Sequence, residues 1–195
     1  MQHSDAPVNE LTKARAAIEA MLHATSLDEF EQAWKEYLGR IERIWYKASS
    51  HFGKSPKWKS WKRPHEKQRE QDPLLAYLKA ARGAEEHSVT EIVTQEQGRI
   101  SVSAPPEGPW GPVGNIKLYS DGTLTYDGPP GAVKFNPARM VLATVTERGR
   151  SFPPPTRHAG QVIDPNEVIQ LARLGADYYD TFLARAEDEF VVRRT

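Results

Sequence analysis

The sequence predicts an α+β fold. Three N-terminal helices and one C-terminal helix form a bundle, and a small antiparallel β-sheet is inserted before the last helix. Three observations carry this expectation. Apolar residues recur at spacings of three and four between residues 8 and 52, and again between 168 and 190. Residues 98 to 150 switch to short alternating runs broken by proline and glycine. Each helical stretch shows a single apolar face, so none is stable alone and the helices must cover one another.

The first helix is marked by Val8, Leu11, Ala14, Ile18, Met21 and Leu22, one stripe at helical spacing. The second starts at "SLDEF". Ser26 is its N-cap and Glu29, three positions on, completes a capping box. Its stripe runs Leu27, Phe30, Trp34, Tyr37, Leu38, Ile41, Ile44, Trp45, Ala48 and Phe52, and Gly53 ends it. Residues 54 to 70, "KSPKWKSWKRPHEKQRE", hold two prolines and little apolar periodicity, which reads as an exposed loop. The third helix opens at "DPLLAYL", with Asp72 as cap and Pro73 at the first helical position, where its missing N–H costs nothing. It runs through Arg82 and His87, and its end merges into the β-branched "SVTEIVT".

Strands follow at "RISVSA", on both sides of Asp121-Gly122 in "NIKLYSDGTLTYDG", at "GAVKF" and at "RMVLATVTERG". "SFPPPTRHAG" reads as a stiff connector. The last helix opens at "DPNEV", capped by Asp164, with the stripe Val168, Leu171, Leu174, Tyr178, Phe182, Ala186 and Phe190. The expected division is a helical bundle over residues 1–97, a β-insert over 98–150, a Pro-rich connector over 151–163, and a C-terminal helix over 164–195 that packs back on the bundle.

Composition narrows the function classes. The 26 basic and 26 acidic residues cancel, so overall charge favours neither nucleic acid nor membrane. There is no cysteine, which excludes disulfides and thiolate metal sites. The N-terminus is polar, and no apolar stretch approaches the ~20 residues that a membrane helix needs. A cytoplasmic protein without membrane contact is expected. The histidines show no paired ligand spacing, and no glycine pattern of the phosphate- or dinucleotide-binding kind follows a strand. No metal and no cofactor are expected.

One local pattern carries chemistry. In "LKAARGAEEHSV", Arg82 precedes His87 by five positions. Histidine transfers protons near neutral pH, and an arginine fork holds phosphate oxygens. This Arg-x4-His pattern in a helical bundle resembles the HEPN superfamily, whose members include metal-independent endoribonucleases. The resemblance covers the helical part of the chain. It implies that Arg82 contacts the scissile phosphate, that His87 transfers protons to or from the ribose 2′-OH, and that two copies form a dimer. Gly83 departs from the family pattern, which has a polar residue after the arginine. Five residues separate two side chains by about 140° around a helix and about 7.5 Å along it, so a homodimer would be needed to bring both groups to one anion. Glu85 lies in the apolar stripe of the same helix and could pair with Arg82 at helical spacing.

The segment before that helix is basic and aromatic. Lys54, Lys57, Lys59, Lys62 and Arg63 are interleaved with Trp58 and Trp61. Cations attract phosphates and indole rings stack on unpaired bases, so the segment is a candidate single-strand binding patch. The plainer alternative is a solvated segment whose tryptophans tuck against the bundle. The expected function is RNA binding with metal-independent endonuclease activity, of a toxin or defence type. The alternatives are a non-catalytic dimeric interaction module with a protein partner, and a small-molecule-binding domain.

Overall fold

Asp72 turns the chain from one helix into the next. Its N–H closes α3 (Trp58–Gln71) on the Gln68 carbonyl, and its Oδ1 accepts the Leu75 N–H at 3.1 Å to open α4 (Pro73–His87). The molecule is a computed structural model that describes residues 4–87, 92–102, 115–119, 123–128, 133–136 and 138–191; the side chains of residues 85–87, 100, 102, 124 and 134–136 are outside that description. Besides α3 and α4 it contains α1 (Asp5–His23), α2 (Leu27–Phe52) and α5 (Val168–Phe190).

The sequence's helical bundle and α+β class are observed. In α2 the Ser26 hydroxyl accepts the Glu29 N–H at 3.2 Å, while the Glu29 carboxylate reaches back to the Thr25 N–H at 2.8 Å. Apart from partly buried Leu27, every residue of the expected α2 stripe is buried. In α1 the buried face is turned towards Pro7, Glu10 and Ala17, which leaves Val8 and Leu22 37% and 50% exposed. Glu10 is buried because α2 supplies its counter-charges: Arg40 at 2.8 Å and Lys47 at 2.6 Å. α5 packs on α1, α2 and α4. Its Gly175 allows that approach, since a Cβ there would stand 2.4 Å from the Tyr37 hydroxyl and 2.6 Å from Leu78 Cδ1.

Three expectations need correction. Residues 54–70 are not a loop: from Trp58 they form α3, with Pro64 inside the helix. The inward stripe is buried Trp58 and Arg69 with half-buried Trp61 and His65 between them, at spacings of three, four and four, so aromatic and guanidinium groups take the place of aliphatic ones. Asp164 does not cap α5. Its carboxylate accepts the Asn166 N–H at 2.9 Å in a preceding turn, and the helix begins at Val168 behind Glu167. "SFPPPTRHAG" is not only a connector: it starts in strand and ends in a hairpin.

Among the described residues, the β region is a set of two-stranded ribbons rather than one sheet. β1 (Val93–Glu96) pairs with β6 (Arg139–Leu142), β2 (Arg99–Val102) with β5 (Val133–Asn136), and β3 (Ile116–Leu118) with β4 (Leu124–Tyr126). The β3–β4 register runs from Ile116↔Tyr126 to Leu118↔Leu124; Asp121-Gly122 lies outside the described residues. β7 (Val145–Glu147) pairs with β8 (Arg150–Phe152), and β9 (Arg157–His158) with β10 (Gln161–Val162). Both of these hairpins turn on two residues of positive φ, Arg148-Gly149 and Ala159-Gly160, which match the twist of the strands they join.

The chain divides into two compact units, Met1–Thr94 with Met140–Thr195, and Gln95–Arg139. The sequence reading drew the insert at 98–150; residues 140–150 group with the helices, and Leu142 and Val145 belong to the helical core. The smaller unit contains the β2–β5 and β3–β4 ribbons and an Arg139–Glu96 ion pair at 2.7 Å. No helix among the described residues is long and apolar enough to cross a membrane.

Candidate nucleic-acid interface

Because Trp58, Trp61, His65 and Arg69 point inward, α3 turns Lys59, Arg63 and Lys67 outward, four residues apart along one exposed line. Each step rises about 6 Å, which suits successive phosphates of an extended strand. Lys54 and Lys57 are exposed in the turn before this line. Lys62 is different: it is half-buried and bonded to Glu66 at 2.8 Å.

The α3 line borders a groove of about 530 Å³ that includes Arg63, Lys67, Arg69 and, from α4, Lys79. A second groove, of about 260 Å³, shares Lys79 and adds Arg148 and Arg150 from the β7–β8 hairpin. A third, of about 650 Å³, lies along α1 and α2 and is lined by Arg43 and Arg82. Lys79 and Arg82 are three residues apart on α4, hence neighbours on one helix surface. The cations of the three grooves therefore meet along α4, within the helical unit.

Charge pairing sharpens the picture. Several acids of these grooves are held: Glu66 by Lys62, Glu36 by Arg40, and Glu147 4.0 Å from Arg148 of the same groove, while Glu42 is held by Arg69 beneath them. Glu29 is bound to the N–H and hydroxyl of Thr25, which hold its carboxyl below the usual range. By contrast, Arg43, Lys59, Arg63, Lys67 and Lys79 make no ion pair among the described residues. Glu70 is the acid that shares two of the grooves with them. The surface is locally cationic although the chain is neutral.

Arg69 belongs to the foundation of this surface rather than to its exposed face. Its guanidinium lies 4.2 Å from the Trp45 ring centroid, donates to the Tyr179 hydroxyl at 2.9 Å and pairs with Glu42. Burial pushes Tyr179 up to about 12 against the pull of Arg69, so its phenol stays neutral and keeps a proton to share.

The sequence-predicted residues divide sharply. Trp58 is 4% exposed and its ring packs with Phe52, Trp61, Phe182 and Phe190. Half-buried Trp61 stacks on Trp58 at 5.1 Å and sits against His65 at 4.7 Å. These rings serve the core, so the surface offers phosphate contacts in place of the base-stacking platform expected from the sequence. Arg82 is half-buried beside Gly39, where a Cβ would stand 3.9 Å from its Nε. His87 ends α4, and its side chain and that of Glu85 lie outside the described ones.

Sequence reasoning missed Arg43, Lys79, Arg148 and Arg150. The i, i+3 spacing of Lys79 and Arg82 and the i, i+4, i+8 spacing of Lys59, Arg63 and Lys67 were the available signals. No family model, no curated protein and no solved structure matches this chain.

Proposed function

We propose that this is an RNA-binding protein that grips the backbone of a single strand along α3 and α4. The observation that carries the reading is the excess of cations around Lys79: Arg63, Lys67, Arg69, Lys79, Arg148 and Arg150 line its two grooves against Glu66, Glu70 and Glu147, and Glu66 is already paired with Lys62. Such a surface binds phosphate with little regard to sequence, and counterion release makes binding salt-dependent. Arg82 extends the same cationic line. On this reading Arg82 neutralises charge on a scissile phosphate and His87 transfers the proton of the 2′-OH, without a metal, in a cytoplasmic homodimer. The resemblance to HEPN domains supports the pairing of these two residue types.

The binding test is fluorescence anisotropy of a labelled single-stranded RNA titrated at several salt concentrations. The triple variant Arg63→Glu, Lys67→Glu, Lys79→Glu should bind at least about tenfold more weakly. Its log–log salt slope should be shallower by about 2, from about 0.7 per lost phosphate contact. Equal affinity and slope in the variant and the wild type would overturn the reading.

A protein partner is the second reading. Leu118 and Tyr119 are 59% and 49% exposed at the end of the two-stranded β3–β4 ribbon, and short ribbons with apolar exposure are places where another chain can add.

A further inference from the structure

The nucleic-acid reading leaves one built polar site unused. Behind α3, beside His65, His158 Nδ1 is 2.9 Å from Asp72 Oδ1, with the two side chains 13% and 8% exposed. The Asp72 carboxylate is held by two further donors, the N–H of Leu75 at 3.1 Å and that of Ala159 at 2.8 Å. Burial alone would raise its pKa, but the Ala159 N–H, the His158 ring and the Leu75 N–H outweigh burial and keep it ionised. The imidazole is thus fixed through one nitrogen, and its Nε2 makes no hydrogen bond among the described residues.

Two details separate this arrangement from a plain helix cap. Capping α4 requires only the Leu75 N–H, yet the β9–β10 hairpin is drawn onto the same carboxylate. Moreover, His158 and Ala159 line a pocket of about 280 Å³ whose other walls carry His65, Tyr178, Thr181 and Arg185. Arg185 makes no ion pair among the described residues. The acid on the wall, Asp177, has Arg15 at 3.7 Å, and Arg15 also bonds Asp180 at 2.6 Å. Burial pushes the Tyr178 hydroxyl up, so it stays neutral and donates to the His65 carbonyl at 3.4 Å.

From this grouping we infer a binding pocket for a small oxyanion, a phosphate or carboxylate group. Arg185 is the charge partner, and His158, held by Asp72 through Nδ1, donates from Nε2 to the anion as the imidazolium. The chemistry follows from the walls: one guanidinium and two imidazoles border a space large enough for one tetrahedral or planar anion, while the Tyr178 and Thr181 hydroxyls donate to the carbonyls of His65 and Asp177.

The test reads the imidazole nitrogens by NMR in the full chain labelled with ¹⁵N-histidine. Inorganic phosphate and acetate are titrated separately, with chloride at matched ionic strength as the reference. A saturable shift of the His158 and His65 ring nitrogens in the low-millimolar range, with phosphate, acetate or both, is the expected result. In Arg185→Gln, a change at an exposed residue, the midpoint should move about tenfold higher. Shifts that match chloride, or a midpoint that Arg185→Gln leaves in place, would sink the inference. RNA takes no part in this experiment, so its outcome is independent of the nucleic-acid reading.

Discussion

The Glu147 carboxylate occupies the space that a side chain at position 83 would need. A Cβ on Gly83 would stand 2.5 Å from Glu147 Oε1 and 2.8 Å from Cδ. The carboxylate arrives from β7, and glycine is what makes room for it. A double-mutant cycle measures the relationship. Gly83→Ala gains helix propensity of about 1 kcal/mol, and that gain should be offset in the wild type but appear in a Glu147→Ala background. A coupling energy above about 0.5 kcal/mol, from urea unfolding, is the expected result; additive effects would show that the carboxylate simply swings aside.

Arg82 and His87 make a separate prediction about chemistry. Purified protein incubated with mixed RNA in EDTA should cleave it. His87→Ala should slow cleavage by about 10²-fold or more, the range of a lost acid–base group, and Arg82→Ala should slow it too. The same reading requires two copies of α4, so light scattering should return twice the 22.0 kDa chain mass. Cleavage at equal rates in all three proteins, or a particle that stays monomeric at every concentration, would leave the surface as a binder without this catalytic pair.

Arg69 should prove the most sensitive residue of α3. It touches Trp45, Tyr179 and Glu42 at once, and is 5% exposed. Removing it strands Glu42, so Arg69→Ala should cost about 3–5 kcal/mol in a denaturant titration followed by tryptophan fluorescence. Arg69→Lys should recover little, because an ammonium cannot lie flat on the indole while reaching both oxygen partners. Full recovery by lysine would show that charge alone matters there.

Glu10 predicts an acid limb. Burial by itself would raise its pKa, but hydrogen bonds and charge from Lys47 and Arg40 bring it down to about 2. A carboxylate with a depressed folded pKa contributes stability above its unfolded value of about 4.5. That contribution fades as pH falls through about 2. Water around half-exposed Lys47 screens part of it, so about 1–3 kcal/mol is expected. Thermal melts of wild type and Glu10→Gln should differ at pH 6 and converge as pH falls towards 2. A constant gap over that range would locate the acid sensitivity elsewhere.

The elements legible in the sequence were those whose information is local. Ser26 and Glu29 announce α2, Asp72-Pro73 announces α4, and the Phe30-to-Phe52 stripe names its own buried face, because capping and helical periodicity act within a few residues. Arg82 and the lysines of α3 were likewise visible as residue types. Tertiary structure alone decided that residues 58–71 coil into a helix against Pro64. The helix is held by contacts no local rule contains: Trp58 and Trp61 against Phe182 and Phe190, and Arg69 against Trp45 and Tyr179. Those partners lie more than a hundred residues away on α5 or one helix back on α2. That distance is why the tryptophans read as a surface platform in the sequence and are core in the fold. It is also why the meeting of Asp72 with His158, 86 residues apart, could not be read from either residue's neighbourhood. Local order was written into the chain; which cations stay unpaired, and which rings stay dry, came from burial between segments that only folding brings together.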